Sequence, residues 1–553
     1  MSAVGIIIIA IVALSAGYLL YGRYIARKWG IDPEAKTPAY EFQDDKDYVP
    51  SDRMVVFGHQ FASIAGAGPI NGPIQAAVFG WVPVLLWILF GGIFFGAVQD
   101  FAAMYASVKN KGRTIGYIIE LYIGKTGKRL FLGYTWLICV LIIAAFADTV
   151  CKTFDGIGGT AEADLAGAQV SMISLSFILF ALLFGLLNRF FKLTGWKLVA
   201  LPIVFLVTSV VIGMNFPVYL DDSIWRIIIF FYVALACALP VWVLLQPRDY
   251  LNSYLLLFMI AAAVIGIFVA NPTMKLEAFS GFQFNGQTVF PYLFVTVACG
   301  AVSGSHALIS SGTASKQIRN EKDMLPISAG AMLLESLLAV IALITVGARL
   351  SSGEIASAGT PATVFASSIA SFMSVLHVPY SITYSLITLS VSAFALTTLD
   401  SMARIGRLSW QELFSDGFAG NENIHGIRKV LTNSWFSTGL ILTGAYFLAK
   451  IGYANIWPIF GASNQMLAAL TMIACAVYLK HTNRQGAFLW VPMVFMLITT
   501  MVSLVMTVIT NVRAITGGTA GNLWSAVIQI GFAVIILILG IIVAKQGLDK
   551  LRD

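Results

Sequence analysis

Charge is what this sequence has least of. Asp, Glu, Lys and Arg make up 11% of its 553 residues, against the ~25% of an ordinary soluble domain. No long polar block occurs, so no soluble domain is expected. Cysteine is sparse too. Cys139, Cys151, Cys237, Cys299 and Cys475 are scattered without a C-x-x-C pair, which argues against a zinc site or a disulfide framework. Nucleotide and hydrolase signatures are missing. Gly124-Lys125-Thr126 lacks the upstream glycine of a phosphate loop, because position 119 is Ile, and neither H-E-x-x-H nor G-x-S-x-G occurs. These absences disfavour an ATP-driven pump and most membrane hydrolases; neither an enzyme activity nor a cofactor is expected. The net charge of +7 does not point to nucleic acid, because its placement has a membrane explanation.

What is present is apolar. Hydrophobic residues make up 58% of the chain and the mean hydropathy is +0.84. Repeated runs of ~20 apolar residues describe an all-α polytopic membrane protein. Fifteen spans are expected, over roughly 3–22, 54–80, 81–108, 130–150, 168–188, 196–216, 224–245, 251–270, 288–315, 325–348, 380–403, 430–449, 454–479, 488–510 and 523–544. The first lacks a positive leader and is followed by Arg23, Arg27 and Lys28. It reads as a retained helix with its N-terminus outside, not as a signal peptide. With that orientation 28 of the 34 Lys and Arg fall in cytoplasmic segments, a strong positive-inside bias that also puts the C-terminus in the cytoplasm. Residues 27–53, with Asp44, Asp45 and Asp47, read as a cytoplasmic linker. The Ser/Ala-rich stretch 350–378 reads either as a short interfacial helix or entrance cap, or as an ordinary outer loop.

Two spans are interrupted. Residues 53–81 pack Gly66, Gly68, Pro69, Gly72 and Pro73 into eight positions. Glycine costs about 1 kcal/mol in a helix interior and proline about 3, so a continuous helix through this cluster is disfavoured. Irregular backbone at membrane depth survives only where protein buries it or water lines it. The second interruption lies in 288–317, rich in Gly300, Gly304, Gly312 and serine. Six spans separate the two, so they run antiparallel. Paired interruptions in two halves are the mark of an inverted-repeat transporter with its site at the midplane. Both a 5+5 core with added helices and a 7+7 repeat fit the count. The organisation expected is an added helix and linker (1–52), a first repeat (53–270), a second repeat (271–480) and added C-terminal helices (481–553).

Ser303, His306, Ser310, Thr313 and Gln317 fall on one helical face, with Ser305 nearby. They line a substrate path or glue neighbouring helices. His59, Ser63 and Gly66 share a face in the first segment, with Gln60 adjacent and Asn71 and Gln75 beyond the break. A half-helix starting near Asn71 would point free N–H groups and its positive end at the membrane centre, a seat for a carboxylate. His59 and His306 are either proton relays or neutral interface histidines. Within spans lie Asp100, Asp148, Glu335 and Asp400, functional candidates by default. Glu335 is the deepest. Asp400 has Arg404 at i+4, which favours a salt bridge, and Asp148 is expected at the outer interface. The stripe Ser381, Ser385, Thr388 and Ser392 is a cavity wall or a packing seam, and Asn464-Gln465 interrupts an otherwise apolar span.

The stretches GHQFASIAGAGPINGPIQAA (58–77), GAVQDF (96–101), SGSHALISSGTASKQI (303–318), FALTTLDSMARIGR (394–407) and FGASNQMLAAL (460–470) together resemble the carbon starvation protein CstA family, from about residue 48 to about 480. The resemblance implies kinship with the amino acid–polyamine–organocation superfamily, hence the 5+5 core. It also implies a bacterial or archaeal inner-membrane transporter, linked to peptide uptake under carbon starvation, with similar proteins taking up pyruvate with protons. The reading is a secondary transporter for a small carboxylate-bearing nutrient, short peptides before pyruvate. Substrate contacts are expected from His59, Ser63, Gly66, Gly68, Asn71, Gln75, Ser303, Ser305, His306, Ser310 and Thr313. Proton coupling is expected through His59, Asp100, His306, Glu335 and Asp400, with sodium the other ion considered; a peptide, unlike pyruvate, would also need an acidic subsite for its amino group, for which Glu335 or Asp100 is the candidate. The expected partners are the substrate and the bilayer. A membrane nutrient sensor without transport, or a channel, are the competing classes.

Overall fold

The computed structural model describes residues 2–44, 48–191, 196–239, 244–284, 286–414, 426–518 and 523–552; Asp45 and Asp47 of the expected linker lie outside them. Among the described residues, ten helices are long and apolar enough to cross a membrane: Ala3–Trp29, Trp81–Lys109, Lys125–Phe154, Ala163–Asn188, Pro247–Ala270, Glu321–Gly347, Tyr380–Phe414, Asn455–His481, Ala487–Thr516 and Leu523–Arg552. The chain is therefore a multi-pass helical membrane protein, but fifteen full spans are not reached. Two of the other five segments are broken helices, described below. Asp222–Ala238 and Ser434–Ala449 have 17 and 16 residues. The apolar part of Trp196–Asn215 shortens to Ala200–Asn215.

Apolar residues face outward as well as inward, as expected where the surrounding solvent is lipid. Leu20, Phe190, Phe231 and Trp524 are among the large exposed side chains. The core is built on the crossing of Lys125–Phe154 with Tyr380–Phe414, and on Tyr453–His481, which packs against the two last helices and against the helical pieces between residues 294 and 312. The most apolar window of Asn455–His481 is 100% buried. A helix that touches no lipid tolerates polar residues only where partners meet them, and Ser463, Asn464 and Gln465 are all fully buried there.

Residues 350–378 are not an open loop. Thr360 caps the helix Pro361–Ser374, whose Val364, Phe365 and Ile369 are buried against Tyr380–Phe414 and Ala331–Gly347. Asp148, near the end of Lys125–Phe154, is enclosed by protein. It is 1% exposed, accepts from Arg226 (3.1 Å) and from the Tyr453 amide that opens Tyr453–His481 (2.8 Å), and pairs with Lys152 at 2.9 Å. Of the stripe Ser381, Ser385, Thr388 and Ser392, the first is exposed and the other three are buried; Thr388 and Ser392 donate to carbonyls four residues back in their own helix.

Candidate functional site

The first broken helix starts at Arg53, where Asp52 caps it by accepting from the Met54 amide at 2.9 Å. It stops at Ile64. Ala65 leaves helical geometry (φ −76°, ψ 53°), and the chain re-enters a helix at Gly68–Ala76. The break is thus at 65–67, a few residues before the Gly/Pro cluster's centre, and the new helix runs through Gly72 and Pro73. Pro69 sits in the first turn, where a missing N–H costs nothing. Ile70 and Asn71 turn their amides back to the Ala67 carbonyl (3.3 and 2.9 Å). The expected fan of free N–H groups beyond Asn71 is therefore not formed; the attraction of this end for an anion rests on the helix dipole.

The second broken helix is interrupted twice, at Val297 and at Val302–Ser303, where both residues are extended before the helix Gly304–Gly312 begins. It ends at Thr313, so the expected five-residue stripe is not one continuous helical face. The two broken helices lie against each other antiparallel. His59 meets Thr313 (3.3 Å) and Gln60 donates to Ser310 (2.8 Å). Further on, a Cβ added to Gly68 would collide with the Cys299 side chain. One added to Gly72 would come within 2.5 Å of the Thr296 carbonyl oxygen. Glycine is required at both places by closeness, not by conformation.

The centre of the site is ionic. His306 Nδ1 is 3.3 Å from Asp100 Oδ2 and its Nε2 is 3.4 Å from Glu335 Oε2, and all three residues are 0–1% exposed. The Glu335 separation is an ion-pair distance, but its geometry is not that of a hydrogen bond, so neither Glu335 oxygen accepts one; Asp100 Oδ1 is also unpartnered. Three helices deliver these groups: Ala97–Lys109, Gly304–Gly312 and Ala331–Gly347. Around them Asn464 braces the second break, its Oδ1 accepting from the Ser305 amide (3.0 Å) and its Nδ2 donating to Ser303 Oγ (2.8 Å). Gln99 donates to the Ser303 carbonyl (2.7 Å) and Gln465 to the Phe294 carbonyl (2.6 Å). Ser63 Oγ, Thr296 Oγ1, Gln75 Nε2 and both side-chain polar atoms of Asn71 are buried without a hydrogen-bond partner.

The sequence-derived residues divide accordingly. Asp100, His306 and Glu335 come together. Ser303, Ser305, Ser310 and Thr313 are occupied with protein partners, and Gly66 packs on Thr398 (2.5 Å to an added Cβ). His59 is half-buried and also lies 3.8 Å from Asp249. Asp400 belongs to a different cluster. Its partners are Arg248 and the Tyr232 hydroxyl (3.0 Å), not Arg404, which instead donates to the Ala236 and Leu239 carbonyls. The end of Asp222–Ala238 offers those orphan carbonyls to the nearest guanidinium, while Arg248 reaches Asp400 from a neighbouring helix. Gln60, Gln99, Asn464, Cys299 and Thr296 were not assigned to the site from sequence. Asn464 carried a signal, as a polar residue inside an apolar span; Cys299 and Thr296 carried none. An apolar cavity of about 460 Å³, lined by Phe154, Met172, Trp225 and Tyr232 among others, lies away from this cluster, and its walls offer no chemistry for a charged solute.

The carbon starvation protein CstA family model matches residues 2–352 and 348–503. The chain belongs to the carbon starvation protein CstA family. Among curated members, peptide transporter CstA of Campylobacter jejuni is 31% identical, with 90% of this chain and 79% of that protein covered. Peptide transporter CstA of Escherichia coli is 31% identical, over 89% and 79%. The pyruvate/proton symporter BtsT of Escherichia coli is 30% identical, over 90% and 81%. The CstA family members matched are thus named as transporters, not as enzymes. Likeness to solved structures is slight: a manganese transporter of Eremococcus coleocola superposes at TM-score 0.46 and 11% identity, over 90% of this chain and 95% of that one.

Proposed function

We propose that this chain is a secondary active transporter that imports a small carboxylate-bearing nutrient, short peptides first, by alternating access coupled to protons. The observation that carries the reading is the buried His306–Asp100–Glu335 cluster beside the contact of two antiparallel broken helices. Ionisable groups inside a membrane protein mark substrate and proton paths, and two broken helices of opposite direction support inverted repeats with a midplane site. The repeats are 53–270 and 271–480, on a 5+5 core with added helices. The N-terminus is outside and the C-terminus is in the cytoplasm of a bacterial or archaeal cell.

The seat for the carboxylate is the start of Gly68–Ala76, with Ser63, Gly66, Asn71 and Gln75 around it. Ser303, Ser305, Ser310 and Thr313 hold the frame. His306 and Asp100 carry the proton at the centre, while His59 and Asp400 work nearer the cytoplasmic end. When His306 is protonated, Nδ1 donates to Asp100; loss of that proton leaves an acid–base pair that refills from one side at a time. Pyruvate–proton symport on the same fold is the second reading, favoured by the likeness to BtsT.

Counterflow in proteoliposomes tests the proposal, with a labelled dipeptide and labelled pyruvate, and with pH and sodium gradients imposed separately. Saturable exchange of dipeptide, accelerated by an inside-alkaline gradient and indifferent to sodium, is expected. Exchange driven by sodium alone overturns proton coupling. Binding without exchange overturns transport in favour of a sensor, and flux that neither saturates nor exchanges would be that of a channel.

A further inference from the structure

We infer that Glu335 is the subsite for the ammonium group of the substrate, so that the substrates are free-amino peptides and not 2-oxo acids. The inference rests on the transporter reading above and sharpens it. Its ground is a charge imbalance. Two carboxylates, Asp100 and Glu335, flank one imidazole, and all three groups are sealed from solvent. Among the described residues, His306 is the cation that acts on either carboxylate. The buried Arg248 is already shared by Asp400 and Asp249. Gly68–Ala76, Ala298–Ala301 and the Asn464 region contribute no ionisable group except the Cys299 thiol. With His306 protonated and both carboxylates ionised the cluster would carry one excess negative charge, and an uncompensated charge in such surroundings is strongly unfavourable.

The two carboxylates are not equivalent. Asp100 has His306 Nδ1 in hydrogen-bond reach, whereas neither oxygen of Glu335 accepts a hydrogen bond. Glu335 also lies near the junction of the broken helices, where it interacts electrostatically with Cys299. One turn on, Ala339 lies 2.6 Å from a Cβ built on Gly300, and Pro73 of the first broken helix lies 3.9 Å from the same point. A proton or an ammonium would balance the charge equally well. A proton needs no further acceptor; an ammonium has three N–H bonds to satisfy. On the helices that meet here, Asn71, Thr296 and Ser63 are at most 2% exposed and carry buried oxygen atoms without donors. Asn71 Oδ1 and Thr296 Oγ1 can accept from an ammonium, while Asn71 Nδ2 and the Ser63 hydroxyl can donate to a carboxylate, so the unpartnered groups suit the two ends of a zwitterion. The carboxylate seat at Gly68 adjoins Cys299, the thiol with which Glu335 interacts. A zwitterion can bridge the two.

The test is exchange in proteoliposomes of alanylalanine, N-acetyl-alanylalanine and pyruvate, for wild type, Glu335→Gln and Asp100→Asn. Removing one partner of a buried charge pair weakens binding by about 30-fold or more. Wild type is therefore expected to prefer the free dipeptide over its acetylated form by at least that factor. Glu335→Gln should bring the ratio toward one, while Asp100→Asn should keep the preference and lose the acceleration by a pH gradient. Equal use of both dipeptides by wild type, or an unchanged ratio in Glu335→Gln, overturns the inference. Exchange of pyruvate and neither dipeptide overturns it too but leaves the transporter reading standing; exchange of none of the three removes that reading as well. Should Glu335→Gln not yield a monodisperse protein, the wild-type ratio of the two dipeptides decides alone.

Discussion

At the scale of single residues the ion pairs separate into two kinds. Arg248 and Asp400 are 2% and 0% exposed and bonded to each other, with Tyr232 at 2.5 Å from the guanidinium. This pair is joined directly, although Arg248 Nε and Asp400 Oδ1 find no partner, and it makes a stability prediction. Removing one member strands the other, at a cost of about 3–5 kcal/mol. Arg248→Met should lower the thermal unfolding temperature in detergent sharply, and Arg248→Met combined with Asp400→Leu should recover most of the loss. A double variant as unstable as the single one would mean that Arg248 acts through Asp249 instead. The pairing could not be read from the chain, because its members stand far apart in sequence and Arg404, at i+4, offered a nearer partner for Asp400. By contrast Glu335 was legible as an isolated acid deep in an apolar run. Its relation to Asp100 and His306 was not, since each comes from a different helix and spacing says nothing about which helices meet.

At the scale of elements the two broken helices were announced by their glycines and prolines. Chemistry sets where a helix is weak; packing decides where it opens. The first therefore breaks at 65–67 and then continues through Pro73, because Gly72 must remain helical to approach the Thr296 carbonyl. The contact between the breaks predicts an asymmetry. Gly68→Ala pushes a methyl into the Cys299 side chain, and Gly72→Ala pushes one into backbone. Overpacking of this kind costs about 1–3 kcal/mol. Both variants should insert in the membrane and lose exchange. Adding Cys299→Gly should restore exchange to Gly68→Ala but not to Gly72→Ala, since a side chain can be trimmed and a carbonyl cannot. Failure of that rescue in the vesicle assay would show that Gly68 matters for its backbone and not for its closeness to Cys299. The polar face 303–317 was only partly legible. Its residues do meet the first broken helix at Gln60 and His59, but the helix ends at Thr313, a termination that residue periodicity does not signal.

At the scale of the whole molecule the membrane class was plain from composition, because long apolar runs with few charges have no other stable solution. The number of spans was less plain. Short helices such as Ser434–Ala449 and broken ones such as Arg53–Ile64 with Gly68–Ala76 fall below the length of a full crossing, and hydropathy counts them alike. Charge placement supplies a test that helix length does not. Single cysteines placed at exposed positions beside Lys275 and Lys322 in a background lacking the five native cysteines should react with an impermeant maleimide from outside and only after permeabilisation, respectively. Reaction of both from the same side would remove one crossing between them and with it the antiparallel orientation of the repeats in the bilayer.

The apolar middle of the helix Tyr453–His481 is wholly enclosed, yet it belongs to the last fifth of the chain. Membrane proteins are made from the N-terminus forward. When the ribosome has finished the second broken helix, the Asn464 that braces Ser303 and Ser305 has not been synthesised, nor has the Tyr453 amide that Asp148 accepts from. The earlier helices must therefore wait in the bilayer around a slot, with their polar groups served by lipid headgroups, water or the insertion machinery. The order of manufacture is the reverse of the order of burial: the innermost strut arrives late, and the transport centre acquires its shape only when it has slid into place.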